Sequence, residues 1–140
     1  MDTLTKNPDY SNLPYLACCA LIIQDNQIFI SQRKASQSYA GLWEYPGGKI
    51  ERNETLYEAL VREVKEEVGL TVHKARPIMS ICTPQHRWVS VWMVEEFTGT
   101  AWGKEQQYAQ WACLEALTGR SFLPSNKPIL DYIHQARVLI

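Results

Sequence analysis

The stretch from Thr55 to Gly69 restricts this chain more than any other part of it. Thr55 followed three residues later by Glu58 is a capping box, in which each side chain takes up a backbone N–H that the first helical turn leaves free, and Gly69 supplies the stop. At about 100° per residue, Tyr57, Leu60, Val61, Val64 and Val68 share one arc of about 100°, an apolar stripe that must be buried against another layer. Glu63, Glu66 and Glu67 share a second, separate arc of about the same width. Like charges at such spacings cost an isolated helix about 0.2–0.5 kcal/mol per pair. Two readings follow from the helix alone: the carboxylates share a divalent cation, or they form a solvated acidic face partnered by Arg62 and Lys65. In the first reading, all-oxygen ligands without His or Cys nearby select a hard ion, Mg²⁺ first and Mn²⁺ as a substitute, with substrate phosphates supplying further ligands.

A helix with one apolar stripe needs a sheet or a second helix to cover it, and the rest of the chain supplies mostly strands. Residues 16–23 are a continuous apolar run, and in 27–32 Ile28 and Ile30 alternate with polar positions after an Asp25-Asn26 turn. Residues 71–83, 88–97 and 108–114 read as three further strands. A short apolar piece at 42–45 precedes Pro46-Gly47-Gly48, which reads as a loop. A last helix is expected from Asn126 or Lys127 to about Val138, with Pro128 in its first turn and Ile129, Leu130 and Ile133 facing inward. Strands and helices mix without regular βαβ alternation, which predicts the α/β class: a mixed sheet covered by helices on both faces, an α/β/α sandwich. Residues 1–13 read as a tail or strap and 14–140 as one domain, as a 140-residue length suggests.

Fourteen Lys and Arg against fifteen Asp and Glu give a net charge of −1, so a polyanionic partner must be held by a local site rather than a global field. No run approaches the roughly 18 apolar residues of a membrane span, and the polar N-terminus lacks a signal peptide's apolar segment, so a cytoplasmic protein is expected. Cys18, Cys19, Cys82 and Cys113 have no C-x-x-C spacing and read as small buried hydrophobes in a reducing compartment, not as zinc ligands or disulfides.

Gly48, five residues, Glu54, seven residues, then Arg62-Glu63-Val64-Lys65-Glu66-Glu67-Val68-Gly69-Leu70 matches without departure the box G-x5-E-x7-R-E-U-x-E-E-x-G-U, with U aliphatic, of the Nudix hydrolases. From average residue usage, chance agreement anywhere in the chain is on the order of 10⁻⁸ to 10⁻⁷. The chain also resembles the MutT-like group of that family in Ile28-Phe29-Ile30, in residues 43–51, in Trp102-Gly103-Lys104-Glu105 and in Pro124-Ser125-Asn126-Lys127-Pro128. The resemblance implies an α/β/α sandwich and Mg²⁺-dependent hydrolysis of a nucleoside triphosphate to the monophosphate and pyrophosphate. It points to 8-oxo-dGTP as substrate and nucleotide-pool sanitation as the outcome. Alternatives are a CTP or modified-pyrimidine pyrophosphohydrolase and, in another class, a non-catalytic nucleotide-sensing domain. The implied partner is a small-molecule nucleoside triphosphate, with no direct nucleic-acid or membrane binding. A monomer is favoured.

By the same resemblance Glu63, Glu66 and Glu67 are metal ligands, the Gly47-Gly48 turn adds a backbone carbonyl, and Glu105 is a further acid brought in from a loop. Glu63 is the expected general base, with Glu105 second. Glu54 and Arg62 look like a pair bracing the loop against the helix; taken alone they are a surface ion pair. Arg33 matches a phosphate-contacting Arg and Lys49 follows the Gly-Gly turn, while Lys34 reads as solvated. Glu44 and Tyr45 would line the substrate cleft. Asn126 would read the edge of the base, since its amide offers both a donor and an acceptor, although an Asn before a helix serves equally as an N-cap. Two positions depart from the group: its His in the loop after Arg33 is Ser38 here, and its Phe before Pro-Gly-Gly is Tyr45.

Overall fold

The computed structural model describes residues 15–140, and the expected tail or strap at 1–13 lies outside the described residues. The central strand, β1 (Tyr15–Gln24), turns through Asp25 and Asn26 into β2 (Gln27–Gln32). Both turn residues have positive φ, 53° and 59°, the conformation of a two-residue hairpin whose twist matches its strands. Then come β3 (Trp43–Glu44), β4 (Gly47–Lys49), α1 (Leu56–Val68), β5 (Thr71–Cys82), β6 (Trp88–Thr98), β7 (Ala109–Ala112), α2 (Leu114–Thr118), a 3₁₀ turn (Pro124–Asn126) and α3 (Lys127–Gln135). The sheet runs β3-β2-β1-β6-β5, with β4 also on β1 and β7 also on β2. Among the described strands β1 and β6 pair parallel and the other pairs antiparallel, so the sheet is mixed.

Both faces of β1 and β2 are covered, which is why these strands are apolar along their length. On one face Cys18, Ala20, Ile22, Phe29 and Trp92 pack against Leu56, Ala59, Leu60, Val64 and Val68 of α1. Tyr57 and Val61, expected within the buried stripe, are only partly buried, because the face that packs on the sheet is displaced toward Leu56 and Ala59. On the other face Leu21, Ile28, Ile30 and Val91 pack against Ile129 and Ile133 of α3. The predicted sandwich is the observed fold. The predicted capping box is formed in both directions, Glu58 N–H to Thr55 Oγ1 at 3.0 Å and Thr55 N–H to Glu58 Oε1 at 2.8 Å, and Gly69 closes α1 in the left-handed region at φ 78°.

Four readings need correction. Gly47-Gly48 is not a loop: it opens β4, which pairs with Cys18 and Cys19 of β1, because strand pairing there is set by the neighbour and not by local propensity. The strand expected at 108–114 is confined to Ala109–Ala112, and Leu114 begins α2. The last helix stops at Gln135, short of Val138, and Arg137 adopts a positive φ of 52°. Among the cysteines, all free, only Cys18 is buried; Cys19 is half-buried, and Cys82 and Cys113 are exposed because they sit at the end of β5 and at the N-cap of α2. Among the described residues no helix is long and apolar enough to cross a membrane.

Candidate active site

The last two turns of α1 run beneath β4, and this crossing builds the site. Glu67 is 8% exposed, and its carboxylate accepts the Gly47 backbone N–H at 2.9 Å. Burial pushes its carboxyl up to about 8 against that hydrogen bond, and the charges of Glu44, Glu105 and Glu63 push the same way. Glu63 is half-buried and raised as well, first by desolvation, then by Glu66 and Glu105 against the lowering effect of Arg62. A Cβ at Gly48 would overlap the Glu63 carboxylate, and one at Gly47 would overlap the Cys18 carbonyl. Two glycines are needed here for close approach, one to a side chain and one to backbone.

Glu66 behaves differently. Its side chain is 51% exposed and turned to Arg62 at 3.2 Å. Among the described residues no group of three or more His, Cys, Asp or Glu side chains is gathered closely enough to hold an ion. The helix brings the three carboxylates to one side, but like charges diverge toward the nearest donors, Arg62 for Glu66 and the Gly47 N–H for Glu67. The donor set still fits a hard divalent cation: it is all oxygen, Gly48 leaves the cradle beside Glu63 free of any side chain, and burial, with repulsion from neighbouring acids added to it, raises Glu63 and Glu67, which a bound cation would offset. Joining such a set requires Glu66 to rotate away from Arg62.

Arg62 is the hub behind this surface. Its Nε meets Glu54 Oε2 at 2.6 Å and its Nη2 meets Glu54 Oε1 at 2.9 Å, a fork-on-fork pair, while Nη2 also donates to the Lys49 carbonyl at 3.0 Å. Glu51 and Glu63 lie within 3.6 Å of the same guanidinium. The hydrogen bond from Arg62 holds the Glu54 carboxyl below the usual range. Glu54 in turn accepts the Glu51 N–H at 2.7 Å, which fixes the loop entering α1.

In front of the carboxylates lies a cleft of about 450 Å³. Arg33, Glu44, Tyr45, Gly47, Gly48, Lys49, Glu67, Glu105 and Asn126 all line it; Glu54, Arg62, Glu63 and Glu66 do not. Arg33 is committed to its own loop: Nη1 meets Glu44 at 3.0 Å, and Nε and Nη2 donate to the carbonyl and hydroxyl of Ser38 at 2.5 and 3.3 Å. Glu44 is nonetheless raised, because burial outweighs Arg33. Tyr45 stacks on Phe122 with ring centres 5.1 Å apart, and its buried hydroxyl has no hydrogen-bond partner among the described residues. Asn126 is 9% exposed at the N-cap position of α3, but its side chain does not cap the helix. It makes no side-chain hydrogen bond among the described residues, so the capping alternative fails and the amide is left at the cleft wall.

Three features escaped the sequence reading. Lys34, expected to be merely solvated, reaches the Glu105 carbonyl at 3.1 Å. Cys18 and Cys19, read as core residues, also line the cleft, with burial pushing the Cys18 thiol up to about 12 and Cys19 up as well. Gln107 bonds both Glu67 and Glu105. Lys34 and Gln107 act across 71 and 40 residues, and no local pattern announces such bonds.

With this geometry in view, the NUDIX domain family matches residues 14–133. The chain is 38% identical over 110 residues to the 8-oxo-dGTP diphosphatase of Escherichia coli K12, covering 76% of this chain and 85% of that one. It is 34% identical over 119 residues to the CTP pyrophosphohydrolase of the same organism, covering 80% and 85%. A solved structure described as MutT of Aliivibrio salmonicida and Vibrio cholerae superposes with a TM-score of 0.79 at 28% identity, over 86% of this chain and 97% of that one. A family match over residues 14–133, together with relatives named as pyrophosphohydrolases and diphosphatases, makes the chain a MutT-like member of the Nudix hydrolase family.

Proposed function

We propose that this enzyme hydrolyses 8-oxo-dGTP to 8-oxo-dGMP and pyrophosphate with Mg²⁺, or Mn²⁺ in its stead, and so removes an oxidised nucleotide from the pool. The observation that carries the choice of substrate is Asn126: buried, unused as a cap, and set on the wall of the cleft that Glu67 and Glu105 also line. Its amide can give and accept a hydrogen bond at once, which suits the edge of an oxidised purine. The identity to an 8-oxo-dGTP diphosphatase supports the same reading.

Glu63, Glu66, Glu67 and Glu105, with a backbone carbonyl of Gly47 or Gly48, would hold the cation, which when bound neutralises phosphate oxygens and acidifies water. Glu63, its proton affinity raised by burial, is the base that takes a proton from water attacking the β-phosphorus. The new P–O bond forms as the bond from the β-phosphorus to the α–β bridging oxygen breaks. That oxygen departs with the monophosphate, and the water oxygen ends in pyrophosphate. Arg62 and Glu54 brace the loop, Lys49 and Arg33 offer positive charge to phosphate, and Glu44 and Tyr45 line the substrate's path. Arg33 spends one N–H each of Nε, Nη1 and Nη2 on Ser38 and Glu44, which leaves a further N–H on each Nη for a phosphate.

The test is a panel of canonical and oxidised nucleoside triphosphates, compared by kcat/KM and repeated with Asn126→Ala. The expected result is preference for 8-oxo-dGTP that collapses by about 5- to 150-fold in the variant, the effect of losing a buried hydrogen-bonding group at about 1–3 kcal/mol. Preference for CTP, the substrate in the name of the relative at 34% identity, would overturn the reading, as would unchanged selectivity in Asn126→Ala.

A further inference from the structure

The segment carrying Glu105 has no regular structure, yet it is fastened to the end of α1. Trp102 N–H donates to the Val68 carbonyl at 3.1 Å and Lys104 N–H to the Glu67 carbonyl at 3.0 Å. The chain then folds through a turn closed by Gln106 N–H on the Gly103 carbonyl at 3.0 Å, with Gln106 in the left-handed region at φ 69°. At Gly103 a Cβ would overlap the Gln107 carbonyl, so the turn is closed tightly on Gln107. The Gln107 side chain spans the gap: Nε2 donates to the Glu67 carbonyl at 3.0 Å and Oε1 accepts the Glu105 N–H at 2.9 Å.

We infer that Gln107 is a positioning residue, whose amide sets Glu105 against Glu67 so that the two carboxylates face one cleft. The inference rests on the reading of Glu105 as a working acid. The role needs an amide: a carboxylate would offer two acceptors, and so could not donate to the Glu67 carbonyl, while an apolar chain would satisfy neither end. Lys34 also reaches the Glu105 carbonyl, but its exposed, flexible stem fixes direction poorly. Gln107 is half-buried and bonded at both ends, which restricts its rotation.

A double-mutant cycle on the full-length, Mg²⁺-loaded enzyme tests this with Gln107→Met, Glu105→Gln and the pair together. Gln107→Met should lower kcat by about 10- to 100-fold, as misplacement by about 1 Å does, with KM changed less than about twofold. Added to Glu105→Gln it should cost almost nothing further, because the two act as a unit. A full additional loss in the double variant would overturn the inference, since Gln107 would then act independently of Glu105. Wild-type kcat in Gln107→Met beside a deficient Glu105→Gln would overturn it while leaving Glu105 its role. Wild-type kcat in Glu105→Gln would remove both. If Gln107→Met does not fold, Gln107→Glu, of the same length but unable to donate to the Glu67 carbonyl, takes its place with the same expectations.

Discussion

The buried Glu67 carboxylate, at the end of α1, and the backbone N–H of Gly47, at the start of β4, are 2.9 Å apart and hydrogen-bonded. One bond thus joins the helix that carries the acids to the strand that walls the cleft. It does not compensate fully for burial, because the Glu67 carboxyl is still pushed up to about 8.

A stability prediction follows from that direction. Glu67 binds its proton more tightly in the folded chain than in the unfolded one, so its stabilising contribution is complete below pH about 4.5 and is lost as pH rises through about 8. Metal-free protein should therefore lose stability over this window, and Glu67→Gln, which cannot ionise, should not. Thermal melts in chelator should place the variant about 5 °C or more above wild type at pH 8.5, with little difference at pH 5. A gap of equal size at both pH values would contradict this.

Activity should respond in the opposite sense. In the proposed mechanism Glu67 and Glu63 act ionised, and both are raised, so kcat/KM at low Mg²⁺ should climb with pH toward about 8. Raising Mg²⁺ should shift the climb to lower pH, since cation and proton compete for the same oxygens. The measurement is a set of pH profiles at several Mg²⁺ concentrations; profiles that superpose would count against shared ligands.

The adjacent glycines should separate cleanly. At Gly48 a methyl meets the end of the flexible Glu63 side chain, which can swing aside, so Gly48→Ala should fold with stability within about 1 kcal/mol of wild type and lose activity about 100-fold or more. At Gly47 the methyl meets β1 backbone at Cys18, which cannot swing, and Gly47→Ala should cost about 1–3 kcal/mol. Chemical denaturation and turnover assays on both variants distinguish the two.

Much of this architecture is written locally. Thr55, Glu58 and Gly69 fix the ends of α1, and the spacing of Leu60, Val64 and Val68 fixes its buried face. The short strands β3 and β4 could not be read the same way, because two or three residues carry no period and their pairing is decided by β2 and β1. The direction of Glu66 was hidden for a related reason: a helical angle says which side a carboxylate is on, not whether Arg62 will claim it. Gln107 lies one step further from view, since its partners are chosen only when the loop closes on α1.

Tyr45 offers a test of packing rather than chemistry. Its hydroxyl is buried without a partner among the described residues, so it contributes polarity where an apolar ring would do. Tyr45→Phe should leave stability unchanged or raise it by up to about 1 kcal/mol while keeping the stack on Phe122. A loss of more than about 1 kcal/mol in urea denaturation would show that the hydroxyl is bonded after all.

The central claim is that carboxylates on α1 hold Mg²⁺ for hydrolysis of a nucleoside triphosphate, and it is tested most directly by pyrophosphate release from 8-oxo-dGTP by wild type, Glu66→Gln and Glu67→Gln. Release should require Mg²⁺, stop in chelator, and fall by about 10³-fold or more in each variant while melts show a folded protein. Near-wild-type turnover in either variant, or turnover that persists in chelator, would contradict it.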